Sequence, residues 1–302
     1  MNKSKSAIVF GGSGFLGSHV VDTLITAGYA VKVVDIRRPY QVEVDFLQAD
    51  ILNEGALDAI DYDVDVIFNF VAQPDIGLSS RMVLKTLNLN ILGNVRILEQ
   101  LRDLKGPRYV YASSAYASSD GGSFYGISKW SSERLIKEYS RRFGLEFTII
   151  RYGSVYGPRS DSSNRIYRMI EEALTHGVVT YHGTGEEVRE YIHVKDAAEL
   201  SVRIIAEEYK NRCVVLTGTE RLSYAQLLAM IKEMFNNEVS IRMLGSQYDG
   251  RYLQTPYQVL PDTAKKLVLT EFYDIGQGML DLIYELKSRI GDRAGEDTFD
   301  RR

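Results

Sequence analysis

Tyr125 and Lys129 stand four residues apart in Tyr125-Gly126-Ile127-Ser128-Lys129, at the start of a segment whose pattern predicts a helix over 126–143. That spacing puts both side chains on one helical face. An ammonium near a phenol favours the phenolate, so the pair predicts a tyrosine of lowered pKa that can take a proton from an alcohol near neutral pH. Ser114 follows the apolar run 109–112 and could hydrogen-bond the reacting oxygen. Any one such Tyr–Lys pair could equally be an exposed helical contact, because the chain has 20 tyrosines.

A second set of residues suits a dinucleotide. Gly11, Gly14 and Gly17 follow the apolar run 7–10 and open a helical pattern over 15–27. Glycines at this G-x-x-G-x-x-G spacing let the backbone amides approach a pyrophosphate at a helix N-terminus. Asp35 ends the next apolar run, 18 residues past Gly17. A carboxylate there accepts hydrogen bonds from an adenosine ribose and repels a 2′-phosphate, which favours NAD over NADP. Arg37 and Arg38 pull the other way.

These residues need a scaffold, and the pattern supplies one. Short β-branched runs at 7–10, 31–34, 64–70, 109–112 and 147–150 alternate with helical patterns at 15–27, 82–104 and 126–143. Such alternation predicts an α/β fold with a parallel sheet covered on both faces. After Arg151 the rhythm gives way to loops and a helix over 164–176, returns over 191–218, and is followed by a small mixed cap over 219–287. The expected division is a cofactor domain of 1–157 with 189–218 and a substrate domain of 158–188 with 219–287. The charged stretch 288–302 lacks an apolar period and is expected to be disordered.

Composition excludes several functions. The 302 residues carry 36 Lys and Arg against 40 Asp and Glu, a formal charge of −4, so no basic excess marks a nucleic-acid binder. One cysteine, Cys213, allows neither an intrachain disulfide nor a cysteine metal cluster, and the four histidines have no metal-ligand spacing, so no metal is expected. No apolar run is long enough to span a membrane, and the N-terminus lacks a secretory layout. A soluble cytoplasmic protein is expected.

At this point the chain resembles the extended short-chain dehydrogenase/reductase family, in particular its NAD-dependent nucleotide-sugar epimerases and dehydratases. Gly11-Gly12-Ser13-Gly14-Phe15-Leu16-Gly17 is similar to the family's cofactor loop, and Asp50-Ile51 to its adenine-contacting pair. The stretch Asn88 to Asn94 resembles a helix with a structural Asn at Asn90. Tyr111-Ala112-Ser113-Ser114-Ala115 resembles the serine strand, Arg151 to Pro158 the "R-x-x-N-V-Y-G-P" turn, and Gly183 to Asp196 the "G-x-G-x-x-x-R-D-F-x-x-V-x-D" segment.

The resemblance implies a Rossmann-type doubly wound parallel sheet with a smaller C-terminal α/β substrate-binding domain. It implies Ser114, Tyr125 and Lys129 as catalytic residues. NAD contacts would come from Gly11, Gly14, Phe15, Leu16, Gly17, Asp35, Ile36, Arg37, Asp50, Ile51, Phe70, Val71, Ala72 and Asn90, with Tyr125 and Lys129. A nucleotide-sugar substrate would meet Ser154, Tyr181, Arg189 and Arg251.

The departures narrow the reaction. Ser154 replaces the usual Asn of its turn, and Asn69 with Val71-Ala72-Gln73 stand where "H-x-A-A" is common. Ala115-Tyr116 follow the serine where 4,6-dehydratases carry an Asp-Glu pair. The implied activity is oxidation at the sugar C4 followed by epimerisation. A 4-dehydrogenase or ketosugar reductase is the alternative, and a non-catalytic NAD-binding scaffold stands behind both. A homodimer through the 82–104 and 126–143 helices is also implied. Leu84, Leu87, Ile91, Val95 and Leu98 form one apolar stripe there, and Leu89, Leu92 and Ile97 fall partly outside it.

Overall fold

Strands that read as continuous apolar runs need cover on both faces. The computed structural model describes residues 5–119, 121–245 and 264–299. In chain order the strands are β1 (Ser6–Phe10), β2 (Ala30–Asp35), β3 (Asp45–Gln48), β4 (Val66–Asn69), β5 (Arg108–Ser114), β6 (Phe147–Tyr152), β7 (Ser154–Tyr156), β8 (Val178–Tyr181), β9 (Val188–His193), β10 (Arg212–Leu216), β11 (Arg221–Ser223), β12 (Ser240–Met243) and β13 (Lys265–Leu267). The α-helices are α1 (Phe15–Thr26), α2 (Ile76–Arg81), α3 (Val83–Leu87), α4 (Gly93–Leu101), α5 (Ser123–Phe143), α6 (Arg165–His176), α7 (Val194–Arg203), α8 (Tyr224–Met234) and α9 (Ile275–Phe299).

Eight strands form one sheet in the order β13-β10-β6-β5-β4-β1-β2-β3, parallel throughout. Successive residues of β1 serve opposite faces, as the period of two requires. Ala7 and Val9 join the core with Val20, Val21 and Leu24 of α1 and Ala197 and Leu200 of α7. Ile8 and Phe10 join the other core, with Ile97 and Leu98 of α4 and Ile136 of α5. Strand order reverses between β1 and β4, and open α/β sheets bind ligands in the crevice at the carboxyl ends of such a pair.

A third core lies outside this sheet. Ile166 and Ile170 of α6, Leu227 and Ile231 of α8, and Met279 and Leu282 of α9 pack together with Val179 and Tyr181 of β8. Two small sheets accompany it, β11-β9-β7 and β12-β8.

The structure corrects the sequence reading in four places. β3 was absent from the expected strands: Asp45-Phe46-Leu47-Gln48 is too short and too polar at its ends to stand out, and it forms the sheet edge beside β2. β13 lies within the expected substrate domain yet pairs with β10 in the main sheet, whereas β9 leaves the main sheet for a small one. The expected tail from Ser288 is helical as far as Phe299. Extending a nucleated helix needs no apolar face, and the Arg289–Glu285 pair four residues apart supports it.

The fourth correction is the 82–104 helix. It is α3, a π-helical turn at Asn88–Leu92, then α4. A π turn inserts one residue and rotates the following face by about 100°. The expected stripe is therefore split: Leu84 is 77% exposed while Leu98 is fully buried, and of the residues expected partly outside it Leu92 is 53% exposed and Ile97 fully buried.

Candidate active site

Two glycines shape the cradle after β1. Gly11 has φ 75°, and a Cβ on it would lie 2.9 Å from the Val71 amide nitrogen. A Cβ on Gly17 would lie 2.2 Å from the Gly11 carbonyl oxygen. The loop is thus pressed onto the first turn of α1, whose N-cap is Gly14 with no side chain to take up the amides. A pyrophosphate is what such a helix start accepts.

Asp35 braces the same loop. Its Oδ2 accepts from the Ser13 amide at 3.0 Å and its Oδ1 from the Arg37 amide at 3.0 Å. An ionised carboxylate has about four acceptor positions, so capacity remains for ribose hydroxyls.

β5 and α5 bring Ser114, Tyr125 and Lys129 to one cleft of about 730 Å³ that also reaches Gly11, Gly14, Phe15, Leu16, Gly17, Arg37, Phe70 and Ala72. Ser114 Oγ accepts from the Tyr116 amide at 3.3 Å and stands near enough to the Tyr125 phenol to influence its proton. Lys129 Nζ donates to the Ala112 carbonyl at 2.7 Å and lies 4.8 Å from the Tyr111 ring centre and 5.9 Å from that of Tyr125.

The electrostatics depart from the expectation of a lowered tyrosine pKa. Burial pushes the Tyr125 phenol up to about 12, against the lowering influence of the nearby Ser114 hydroxyl. Burial also pulls the Lys129 ammonium down to about 7, against the upward influence of Glu133. Both shifts disfavour the charged form, because desolvation is the largest influence on each group.

The other end of the cleft is basic and aromatic. Arg165, Arg168, Arg189 and Tyr224 line it with Ser154. Arg165 lies over Tyr181 and Tyr224 at 5.4 and 5.2 Å, and Arg189 over Tyr224 at 5.5 Å. Sequence reasoning missed Arg165, Arg168 and Tyr224. A signal existed: Asn164 caps α6, and two arginines follow in a helix start where the dipole disfavours cations. An anionic ligand reverses that penalty.

Several expected contacts lie elsewhere. Tyr181 is buried in the third core, its ring tilted 31° against that of Tyr224 at 4.7 Å, with its hydroxyl donating to Glu187 at 3.0 Å. Asn90 is buried and saturated: it accepts from the Gln73 amide at 2.7 Å and donates to Ser128 Oγ at 2.9 Å, so it ties the loop after β4 to α5. The Ile51 side chain is buried in the core against Gly93, and Val71 packs on the same core. Asp50 accepts from the Leu52 amide at 2.9 Å. Ile36 is 58% exposed just past β2. Asn69 accepts from the Val71 amide at 3.0 Å and donates to the Tyr109 hydroxyl at 2.8 Å, a structural role at the common histidine position. Arg251 lies outside the described residues.

Comparison with known proteins adds the family. The model of the NAD dependent epimerase/dehydratase family matches residues 7–216. A putative UDP-glucose 4-epimerase of Methanocaldococcus jannaschii is 30% identical over 248 residues, 74% of this chain and 81% of the relative. A UDP-N-acetyl-alpha-D-glucosaminuronate decarboxylase of Bacillus cytotoxicus is 24% identical, over 78% of this chain and 82% of that one. Among solved structures, the UDP-glucose 4-epimerase of Thermotoga maritima with UDP-glucose superposes with a TM-score of 0.79 at 24% identity, covering 94% of this chain and 99% of that one.

Proposed function

We propose, for a chain that belongs to the NAD dependent epimerase/dehydratase family, that it is a 4-epimerase of UDP-linked sugars. The observation that carries this reading is one cleft holding the glycine cradle, the Ser114–Tyr125–Lys129 group and the arginine-lined end together.

The cradle of Gly11, Gly14 and Gly17 fits NAD in a loop shape that a side chain at Gly11 or Gly17 would break against neighbouring backbone, and Asp35 would hold the ribose. Bound NAD supplies a hydride acceptor and donor for the sugar C4. Tyr125, as phenolate, takes the proton of the C4 hydroxyl while Ser114 hydrogen-bonds the same oxygen. Lys129 steadies the phenolate by its charge. The same phenol returns the proton after the 4-keto sugar has turned, which gives the opposite configuration. Arg165, Arg168 and Arg189 pair with the diphosphate, and guanidinium groups suit phosphate oxygens through two-pronged hydrogen bonds.

Elimination of water would need a further acid–base pair beside the sugar. The turn after Ser114 is Ala115-Tyr116-Ala117-Ser118, which carries no carboxylate. The M. jannaschii relative's description favours epimerisation as well.

The test is incubation with NAD and UDP-glucose, UDP-N-acetylglucosamine or UDP-glucuronate, with products identified by proton NMR. The expected product is the 4-epimer with no net NADH. Ketosugar accumulating with equimolar NADH would make the enzyme a dehydrogenase, and no turnover with any of the three would sink the proposal.

Asp35→Ala should lower the preference for NAD over NADP, because the ribose acceptor and its repulsion of a 2′-phosphate vanish together. Calorimetric titration with both nucleotides measures the ratio. A ratio unchanged from wild type would move discrimination to Arg37 and Arg38.

The assembly we propose is a homodimer through α3, the π turn and α5. Leu84, Leu92, Ile127 and Trp130 are all about half exposed or more on these neighbouring helices. Two copies meeting there would cover them across a two-fold axis. Sedimentation should give twice the chain mass, and Trp130→Glu should give the monomer. A wild-type monomer at micromolar concentration would refute the dimer.

A further inference from the structure

Helix α5 carries a carboxyl side chain on the face of Tyr125 and Lys129. Glu133 follows Lys129 by one helical turn and is only 2% exposed. Arg151 of β6 grips it with both arms, Nε to Oε1 at 2.9 Å and Nη2 to Oε2 at 2.7 Å. The Ser113 hydroxyl of β5 donates to Oε1 at 2.6 Å. Ser113 and Arg151 are themselves partners in the β5–β6 register, and Ser114 is the next residue along β5.

One carboxylate therefore joins three elements that build the reactive group. We propose that Glu133, held by Arg151 and Ser113, is a positioning residue that fixes α5 against β5 and places a carboxylate one turn below Lys129. This rests on the reaction proposed above only for its catalytic consequence.

A core pair serving stability alone would be weakly motivated. Taking two ions out of water is costly, and an apolar pair of similar size is often as stable. The location gives the pair its purpose. Burial alone drives Lys129 toward the neutral amine, and the Glu133 charge opposes that drive. Among the described residues, the other titratable groups around this cluster are the phenols of Tyr109, Tyr111 and Tyr125, Lys137 one turn further along α5, Arg151 on β6, and Cys213 on β10, whose thiol burial keeps protonated. Among these, Glu133 supplies the negative charge.

The test reads Lys129 without turnover. Wild-type and Glu133→Gln protein labelled with 13Cε-lysine are titrated by NMR without cofactor or sugar, and the Lys129 signal is identified by its loss in Lys129→Met. In Glu133→Gln the Lys129 midpoint should fall by about one pH unit. The alkaline limb of kcat should move the same way, with KM for the nucleotide sugar within about twofold of wild type. A folded Glu133→Gln protein with an unmoved Lys129 midpoint overturns the inference. If loss of the Glu133 carboxylate from Arg151 prevents folding, Glu133→Gln/Arg151→Gln replaces the ion pair with two amides, and a fall in the same direction is expected, smaller because the opposing Arg151 charge goes too. An unmoved midpoint there overturns the inference equally. Absence of wild-type turnover would strike the proposed reaction and leave the NMR result standing.

Discussion

Tyr125→Phe should lower kcat by a factor on the order of 10²–10⁴ while leaving NAD and UDP-sugar affinity near wild type. The substitution removes one hydroxyl and keeps the ring that meets Tyr116 edge-on at 6.4 Å. The pH profile sharpens the test. Burial raises the phenol to about 12, so at neutral pH the phenolate is the minor form and grows tenfold with each unit toward that value. Wild-type kcat/KM should therefore climb with pH on its acid side, and Tyr125→Phe should flatten that climb. Stopped-flow or discontinuous assays between pH 6 and 10 (buffers about one unit apart) measure both. A variant within about twofold of wild type would remove Tyr125 from proton transfer.

Gly17→Ala should abolish productive cofactor binding. Its Cβ would fall 2.2 Å from the Gly11 carbonyl oxygen, backbone against side chain, so either the loop or the first turn of α1 must move by about 1 Å to reach an ordinary contact. Displacement of that size at a site of oriented groups costs about 100-fold. Equilibrium dialysis with NAD and a thermal melt separate the two consequences. The melt should shift modestly while NAD affinity falls at least tenfold. An unchanged NAD affinity would show that the pyrophosphate does not rest on this loop.

The sheet was legible because its strands are uniform apolar runs, and the cradle because its glycines fall between a strand and a helix. What escaped the sequence has physical causes. β3 sits at an edge and needs little apolar surface. The π turn at Asn88–Leu92 leaves no mark on composition, yet it divides a helix and sends Ile97 to the core and Leu92 to the surface. The Tyr–Lys spacing correctly placed both side chains at one cleft, but spacing carries no information on desolvation, and desolvation reverses the expected phenol shift. Arg165 and Arg168 were visible as arginines, and only the docking of α6 over the cleft gives them a target. Family resemblance named Tyr181 as a substrate contact. Its neighbour in space, Tyr224, holds the lining position, and the two lie far apart in sequence.

The late arrival of β13 bears on how this chain can be cut. The family match ends at residue 216, the last residue of β10, and a fragment trimmed there would look complete by that criterion. Its outermost strand would then be Arg212-Cys213-Val214-Val215-Leu216, stripped of the partner that pairs with Val214, Val215 and Leu216. An apolar, untwinned edge is a template for the same edge on another molecule. The fragment would also lose α8 and α9, leaving the apolar face of α6 covered only in part, by β8 and its neighbours. Minimal versions made for labelling or crystallisation should therefore self-associate through β10, and the residues beyond 263 act as the stop that ends the sheet.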